Sequence, residues 1–311
     1  MGGLVSVIVP TYKRPDRLMG TLDSIKAQSY RNIEIIVVDD NSPGDDYRRA
    51  TESFITKYSS TFPLKYVKMD QNAGGAMARN RGISEAEGDF ITFLDDDDEY
   101  LPEKVEKQVD KFTNSPMGNL GLIYCQINFM DSRGKFRKMR APMNARGNKD
   151  ALKKHMIRNL APTSGLMIPK KVLDRVGGFA DLLTGHEYEL ILRILISGYN
   201  VDFNEEALVN MHYHTSGRIS TSRKKIRGEK ALFQIKKKYF HLVGEKVAKR
   251  VSYEHFMDLC KRYLRQNDKR ASRLYLKKAY RMDPLKIQTF LAYSGILADE
   301  RMRRIKSRSG L

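Results

Sequence analysis

Four short apolar runs rich in β-branched residues recur through the first hundred residues, and each stops in polar or charged side chains. They are "LVSVIVP" (Leu4 to Pro10), "IEIIVVDD" (Ile33 to Asp40), "LKYVKM" (Leu64 to Met69) and "DFITFLDD" (Asp89 to Asp96). Runs of this length and composition predict strands. Between the first two, Leu18, Leu22 and Ile25 recur at helical spacing after a Pro-Asp start. Between the last two, "AGGAMARNRGISEAEG" opens and closes on glycine and predicts another helix. Alternating strand and helix predicts an α/β fold with a mainly parallel central sheet flanked by helices on both faces. Chemistry in such sheets collects beyond the carboxyl ends of the strands. "PTYKRP", Asp39-Asp40-Asn41, "DQNAGGAMARN" and the aspartates Asp95 to Asp98 are therefore expected to converge on one edge.

The fourth run ends in "FLDDDDEY", Phe93 to Tyr100. Adjacent carboxylates repel and resist desolvation, so a strand that ends in this cluster calls for a positive partner. A calcium loop of the helix-loop-helix type is disfavoured, because its sixth position needs glycine where Tyr100 stands and a helix would have to replace the strand "FITFL". A solvated acidic turn capping the helix that follows Pro102 is the plainer alternative. Two carboxylates spaced one residue apart also suit a hard divalent cation, Mg²⁺ or Mn²⁺, whose remaining ligands are water and substrate phosphate. "NAGGAMARNRG", Asn72 to Gly82, lacks the ending of a P-loop and the spacing of a dinucleotide fingerprint. It still offers glycines for close backbone approach, a helix N-terminus, and Arg79 for an anionic group.

From Leu101 to about Ser220 the elements are mixed. A helix from Pro102 to Phe112, a strand at "LGLIYCQINFM", a polar loop from Asp131 to Lys149 and a helix at "DALKKHMIRNL" are expected. A short segment "SGLMIP" and a helix from Glu187 to Ser197 ending at Gly198 follow. His212 and His214 share one side of a strand, yet no further Cys or His at suitable spacing completes a zinc site. His212 reads as a strand residue satisfied by hydrogen bonds.

The net charge of +19 is not spread evenly. Residues 1–214 hold 29 Lys+Arg and 29 Asp+Glu, whereas residues 215–311 hold 27 against 8. A neutral body with a cationic, helical C-terminal part suggests chemistry in one and contact with an anionic surface in the other. A merely well-solvated helical surface is the alternative. Aromatic residues are not interleaved with the basic ones as a stacking platform, which argues against nucleic acid as partner. "RASRLYLKKAYRMDPLKIQTFLAYSGIL" reads as a helical hairpin of tetratricopeptide type, but one copy makes no array. Cys125 and Cys260 fit two buried thiols in a reducing compartment. The opening "MGGLVSVIVPTY" lacks a basic n-region and its apolar run is too short for a signal peptide or a span, so a cytoplasmic location is expected.

The segments "VSVIVPTYKRPDRLMGTLDSIKAQSYRNIEIIVVDDNSPGD", "NAGGAMARNRG" and "GDFITFLDDDDEY" together resemble a family 2 glycosyltransferase of bacterial cell-surface polysaccharide type, with the GT-A fold. The resemblance is close over the first hundred residues and continues loosely to about Ser222. It implies a nucleotide-sugar-binding half (1–100), an acceptor-binding and catalytic half (101–220), and a basic helical region outside the shared core (221–311). It further implies that Pro10, Thr11 and Tyr12 pack around the nucleotide base, that Asp39 hydrogen-bonds it, and that Asn72 and Arg79 line the nucleotide pocket. Asp95 would reach the ribose or metal and Asp97 would hold the divalent cation. Asp96 fills the variable position, and both it and Asp98 remain possible ligands because four identical residues allow the register to slip. His214 would lie near the diphosphate and its metal, with Arg218 and Ser220 in the adjoining loop. The catalytic base falls in "GHEYELILRI", at Glu187, with His186 where an acidic residue is commoner; either can take a proton.

The implied reaction is an inverting transfer of a hexosyl or N-acetylhexosaminyl group from a nucleotide diphosphate sugar, of UDP type, to a glycan or lipid-linked acceptor. The basic region would visit the anionic inner face of the cell membrane, and its helices could support a homodimer. Two other classes, a nucleotidyltransferase of related fold and a nucleic-acid-binding protein, are separated from it by pyrophosphate release and by salt-dependent nucleic-acid binding.

Overall fold

Strand β1 (Val5–Thr11) is buried along almost its whole length, and its apolar residues lie at the centre of the sheet. The computed structural model describes residues 2–131, 134–139, 143–182, 184–212, 223–284 and 286. After β1 come α1 (Leu18–Lys26), β2 (Ile33–Asp39), α2 (Asp46–Lys57), β3 (Leu64–Lys68), α3 (Gly75–Glu85) and β4 (Phe90–Phe93). The parallel pairings β3–β2, β2–β1 and β1–β4 make the mainly parallel half that the alternating pattern predicts.

Helix α1 forms where Leu18, Thr21, Leu22 and Ile25 share one face, and that face is fully buried against the sheet. Burial of each such leucine or isoleucine contributes about 1.5–3 kcal/mol. Helix α2 starts at Asp45, whose side chain accepts from the Tyr47 N–H at 3.0 Å. Helix α3 packs so closely on β1 that a Cβ at Gly82 would come within 2.4 Å of the Ile8 side chain. Glycine here sets the distance between Arg79 and the strand ends.

The chain continues through β5 (Asp98–Tyr100), α4 (Lys104–Asn114), β6 (Leu120–Met130), β7 (Phe136–Met139), α5 (Lys149–Ile157), β8 (Leu166–Pro169), α6 (Lys170–Val176), α7 (His186–Ile196) and β9 (Asn200–His212). The sheet runs β3-β2-β1-β4-β8-β6-β9-β5, with β7 attached to β6. Beyond β4 the pairings are antiparallel except β6–β9. Residues 131–149 are not the simple loop that their polarity predicts. Asp131 pins a turn, accepting from Lys135 N at 2.9 Å and from Gly134 N at 3.0 Å, and the chain returns as β7.

Residues 1–218 form one compact unit and residues 219–311 a second. In the second, α8 (Arg223–Lys238) is followed by α9 (Glu245–Arg265) and α10 (Lys269–Met282), and the last two share a small core of Tyr253, Met257, Cys260, Leu276 and Ala279. Helix α10 is the first helix of the hairpin read from the sequence; Asp268 caps it by accepting from Ala271 N at 2.9 Å. Both cysteines are buried and free. Among the described residues no helix is long and apolar enough to cross a membrane.

Candidate active site

The aspartate run makes the turn from β4 into β5, with Asp98 as the first residue of β5, and its side chains alternate in environment. Asp96 and Asp98 are buried, while the side chains of Asp95 and Asp97 are 36% and 16% exposed. Asp96 turns under the end of β1: its Oδ2 accepts from Thr11 Oγ1 at 2.9 Å and Tyr12 N at 3.4 Å, and Arg14 reaches its Oδ1 at 3.1 Å. Burial lifts its pKa to about 6 against the pull of Arg14. Asp98 is held from the other side, accepting from Ser164 Oγ at 2.9 Å and His212 N at 3.2 Å. Burial pushes its pKa well above the usual carboxylate range, helped by Asp95 and Asp97.

The two outward carboxylates already have cationic partners. Arg14 Nη1 lies 2.7 Å from Asp97 Oδ2, Arg17 lies 3.8 Å from the same oxygen, and Arg79 pairs with Asp95. Two outward carboxylates one residue apart are by donor type a set that fits Mg²⁺ or Mn²⁺, with the guanidinium groups now on Asp97 Oδ2 and Asp95 Oδ1 giving way to the ion. Among the described residues no three His, Cys, Asp or Glu side chains are placed to hold one metal ion together, so further ligands would come from water or substrate.

Arg79 extends the network away from the aspartates. Its side chain is 7% exposed, its Nη1 lies 3.3 Å from His186 Nε2, and its guanidinium stands 5.8 Å from the Phe179 ring. His186 and Glu187 form the first turn of α7, entered through Gly185 at φ 75, a conformation that favours glycine. Glu187 Oε2 is 3.8 Å from His186 Nε2, and its Oε1 accepts from Asn159 Nδ2 at 3.2 Å. The side chains of both are 24% exposed. A continuous series of contacts therefore joins Asp95, Arg79, His186 and Glu187.

Around the end of β2 the fully buried Asp39 is occupied by protein donors. Its Oδ1 accepts from Asn41 N and Nδ2, both at 2.8 Å, and its Oδ2 from the Tyr66 hydroxyl, with Arg48 Nε 3.2 Å away. Burial and the Asp39 hydrogen bond both push the Tyr66 pKa up. Asp40 organises the glycine segment instead, taking hydrogen bonds from Asn72 Nδ2, Ala73 N and Gly74 N at 2.8–2.9 Å. Burial raises its pKa as well. Pro10 is half-buried at the end of β1, and the Tyr12 ring, 42% exposed, projects beside it with Lys13 Nζ 5.2 Å from its centroid.

Of the sequence candidates, Thr11, Tyr12, Asp95, Asp96 and Asp97 are brought together at the β1 and β4 ends, and Arg79 links them to His186 and Glu187. Asp39 and Asn72 lie one strand further along. His214, Arg218 and Ser220 lie outside the described residues. Reading the sequence missed Arg14, Arg17, Arg48, Tyr66, Ser164 and Asn159. Arg14 and Arg17 carry a faint signal in "YKRPDR", where cations follow a strand that ends beside an acidic cluster.

The profile of the Glycosyl transferase family 2 matches residues 6–177, more than half of the chain. The amylovoran biosynthesis glycosyltransferase AmsB of Erwinia amylovora is 27% identical over 214 residues, 68% of this chain and 70% of that protein. A crystal structure of residues 1–349 of TarS from S. aureus in complex with UDP-GlcNAc superposes with a TM-score of 0.65 at 18% identity, covering 99% of this chain and 92% of that one. The mannosyltransferase PcManGT of Pyrobaculum calidifontis, in complex with GDP-Man and Mn²⁺, gives a TM-score of 0.55 at 17% identity over 96% of this chain and 81% of its own. At these identities the structural likenesses concern the fold.

Proposed function

The chain belongs to glycosyltransferase family 2, and on that premise we propose that it moves a sugar, with inversion, from a UDP-type nucleotide diphosphate sugar to a hydroxyl of a glycan or lipid-linked acceptor in cell-surface polysaccharide synthesis. The transferred group is a hexosyl or N-acetylhexosaminyl unit. The observation that carries this reading is the series Asp95, Arg79, His186 and Glu187, which joins anion-binding groups to a candidate base. The Erwinia relative named for amylovoran biosynthesis and the UDP-GlcNAc complex of TarS support the pathway and the donor class.

In this reading the base stacks on the exposed ring of Tyr12 beside Pro10 and Thr11, with Asn72 at the edge of the nucleotide pocket. Asp39 meets the base by exchanging one of its donors, since two hydrogen bonds or ion pairs already fill each oxygen. Asp95 and Asp97, with Asp96 behind them and His214 as a further candidate, would hold a divalent cation, Mn²⁺ or Mg²⁺. That ion, when bound, neutralises charge that builds on the departing diphosphate. Arg14, Arg17 and Arg79 supply further positive charge to the phosphates.

Glu187 takes the proton of the acceptor hydroxyl as its oxygen bonds to the anomeric carbon. The bond from that carbon to the diphosphate breaks, and the nucleoside diphosphate leaves with the electron pair. Asn159 fixes one oxygen of Glu187, leaving the other for the proton. Residues 1–100 thus serve the donor and residues 101–220 the acceptor, while the basic region from 221 visits the anionic inner membrane face.

Purified protein with a panel of nucleotide sugars and Mn²⁺ tests the proposal. Release of free nucleoside diphosphate from one donor, without pyrophosphate, is expected. Failure of every donor to bind or turn over sinks it.

A further inference from the structure

Tyr12, after the end of β1, and Tyr47, in the first turn of α2, are 42% and 44% exposed. Two large rings left in water at one place are a feature of binding surfaces. One ammonium lies over both of them: Lys13 Nζ is 5.2 Å from the Tyr12 centroid and 5.8 Å from the Tyr47 centroid. Stacked aromatic rings hold their centroids about 4.5–7 Å apart, so the ammonium occupies a place within stacking reach of both tyrosines.

Both rings are tied to the corner that holds Asp39. Asn41 is fully buried; its Nδ2 donates to Asp39 Oδ1 at 2.8 Å and its Oδ1 accepts from Lys13 N at 3.0 Å. That bond holds Lys13 at φ 58, a left-handed conformation uncommon outside glycine, and so fixes the direction in which Tyr12 and Lys13 leave the strand. Thr11, the residue before Tyr12, is the ladder partner of Asp39. Tyr47 is fixed from the other side. Its N–H donates to the Asp45 cap at 3.0 Å, and the next residue, Arg48, stands with Nε 3.2 Å from Asp39 Oδ2. Each tyrosine is thus one residue from a direct neighbour of the same carboxylate.

We propose that Tyr47 is the second wall of the nucleobase site: the base enters between Tyr12 and Tyr47, takes the place of the Lys13 ammonium, and turns its N–H edge to Asp39. A base stacked on a ring outweighs a cation–π contact at an exposed position, so the exchange is favourable. The two rings add affinity without choosing among bases, because every base has a π face; the choice falls to Asp39. This deepens the donor site proposed above and rests on that reading.

Equilibrium dialysis of UDP against the full-length protein, with uridine and inorganic pyrophosphate as competitors, separates the base from the phosphates. Tyr47→Ala is expected to weaken UDP and uridine by the same factor, about tenfold, and to leave pyrophosphate unchanged. Tyr47→Phe keeps the ring and should bind all three as the parent does. Lys13→Ala should bind uridine at least as tightly as the parent, since the base then has no ammonium to displace. UDP binding untouched by Tyr47→Ala overturns the proposal, as does pyrophosphate weakened by the same factor as uridine, a Tyr47→Phe loss equal to that of alanine, or uridine binding lost in Lys13→Ala. A parent protein that binds no UDP overturns the donor reading and this proposal with it, whereas absence of the Tyr47 effect alone leaves the donor reading standing.

Discussion

Arg79 stands 3.3 Å from His186, and the same guanidinium pairs with Asp95. Residues 107 positions apart in sequence thereby couple the end of β4 to the start of α7. Only a planar fork with several donors spans both partners from one buried stem.

Arg79→Lys should therefore act as a large change. An ammonium is a point charge and cannot hold Asp95 and His186 together, so kcat/KM for the donor is expected to fall about 100-fold or more. Steady-state kinetics checks this, with UDP affinity measured beside them. Retention of near-normal kcat/KM would show that the coupling is incidental.

The four aspartates separate into pairs by their partners. Asp98 is enclosed by Ser164 and the backbone of His212, whereas Asp97 meets guanidinium groups at the surface of the turn. Asp98→Ala should unfold the chain more easily, by about 1–3 kcal/mol for the stranded partners, or about 2–4 °C in Tm per kcal/mol. Asp97→Ala should leave Tm nearly unchanged and lower both Mn²⁺ affinity and transfer. Calorimetry and Mn²⁺ titration on the two variants distinguish them; the reversed pattern would place the metal ligand one residue on.

Glu187 and His186 are close enough to share a role, at 3.8 Å, but only Glu187 is held by Asn159. Glu187→Gln keeps the shape of that contact and removes the base, so single-turnover transfer should slow by about 10²–10⁴ with donor affinity retained. His186→Gln should weaken donor binding through Arg79 more than it slows the chemical step. Slowing by the histidine change alone would move the base to His186.

The strand runs and the helix α1 are legible because their signals are local. Val5 to Thr11 and Ile33 to Asp39 are nearly continuous apolar runs, and Leu18, Leu22 and Ile25 repeat at helical spacing. The convergence of strand ends follows once the pairings are parallel. The partners that fill the site are not legible, because they arrive from far away: Ser164 reaches Asp98 across 66 residues, and Arg14 reaches Asp96 across 82. Nor could Lys104 be read as fully buried, since a lysine after Pro102 looks like an ordinary surface helix residue. Its Nζ is bonded to Thr92 and stands 4.0 Å over the Tyr100 ring, and burial drives its pKa down to about 7. Strand β7 was hidden for a related reason, because its four residues are exposed and carry no buried alternation.

Asp96 offers a test in which stability and function oppose one another. Burial lifts its pKa to about 6, whereas an unfolded chain titrates near 3.9. Between those values the folded protein keeps a proton that the unfolded chain has released, so stability falls as pH rises from about 4 to about 6 and stays lower above that. The difference corresponds to roughly 3 kcal/mol at neutral pH. Below about pH 4 both states are protonated and the penalty vanishes. Asp96→Asn should accordingly raise Tm at pH 7.5 and leave it unchanged at pH 4, with Thr11 still able to donate to the amide oxygen and Arg14 still paired with Asp97. The same variant should bind donor less well, because the charge that holds Arg14 beside Asp96 is lost. Differential scanning calorimetry across that range checks the first half and equilibrium dialysis with UDP the second. A gain in Tm as large at pH 4 as at pH 7.5 would show that packing, rather than the buried charge, sets the stability of the turn.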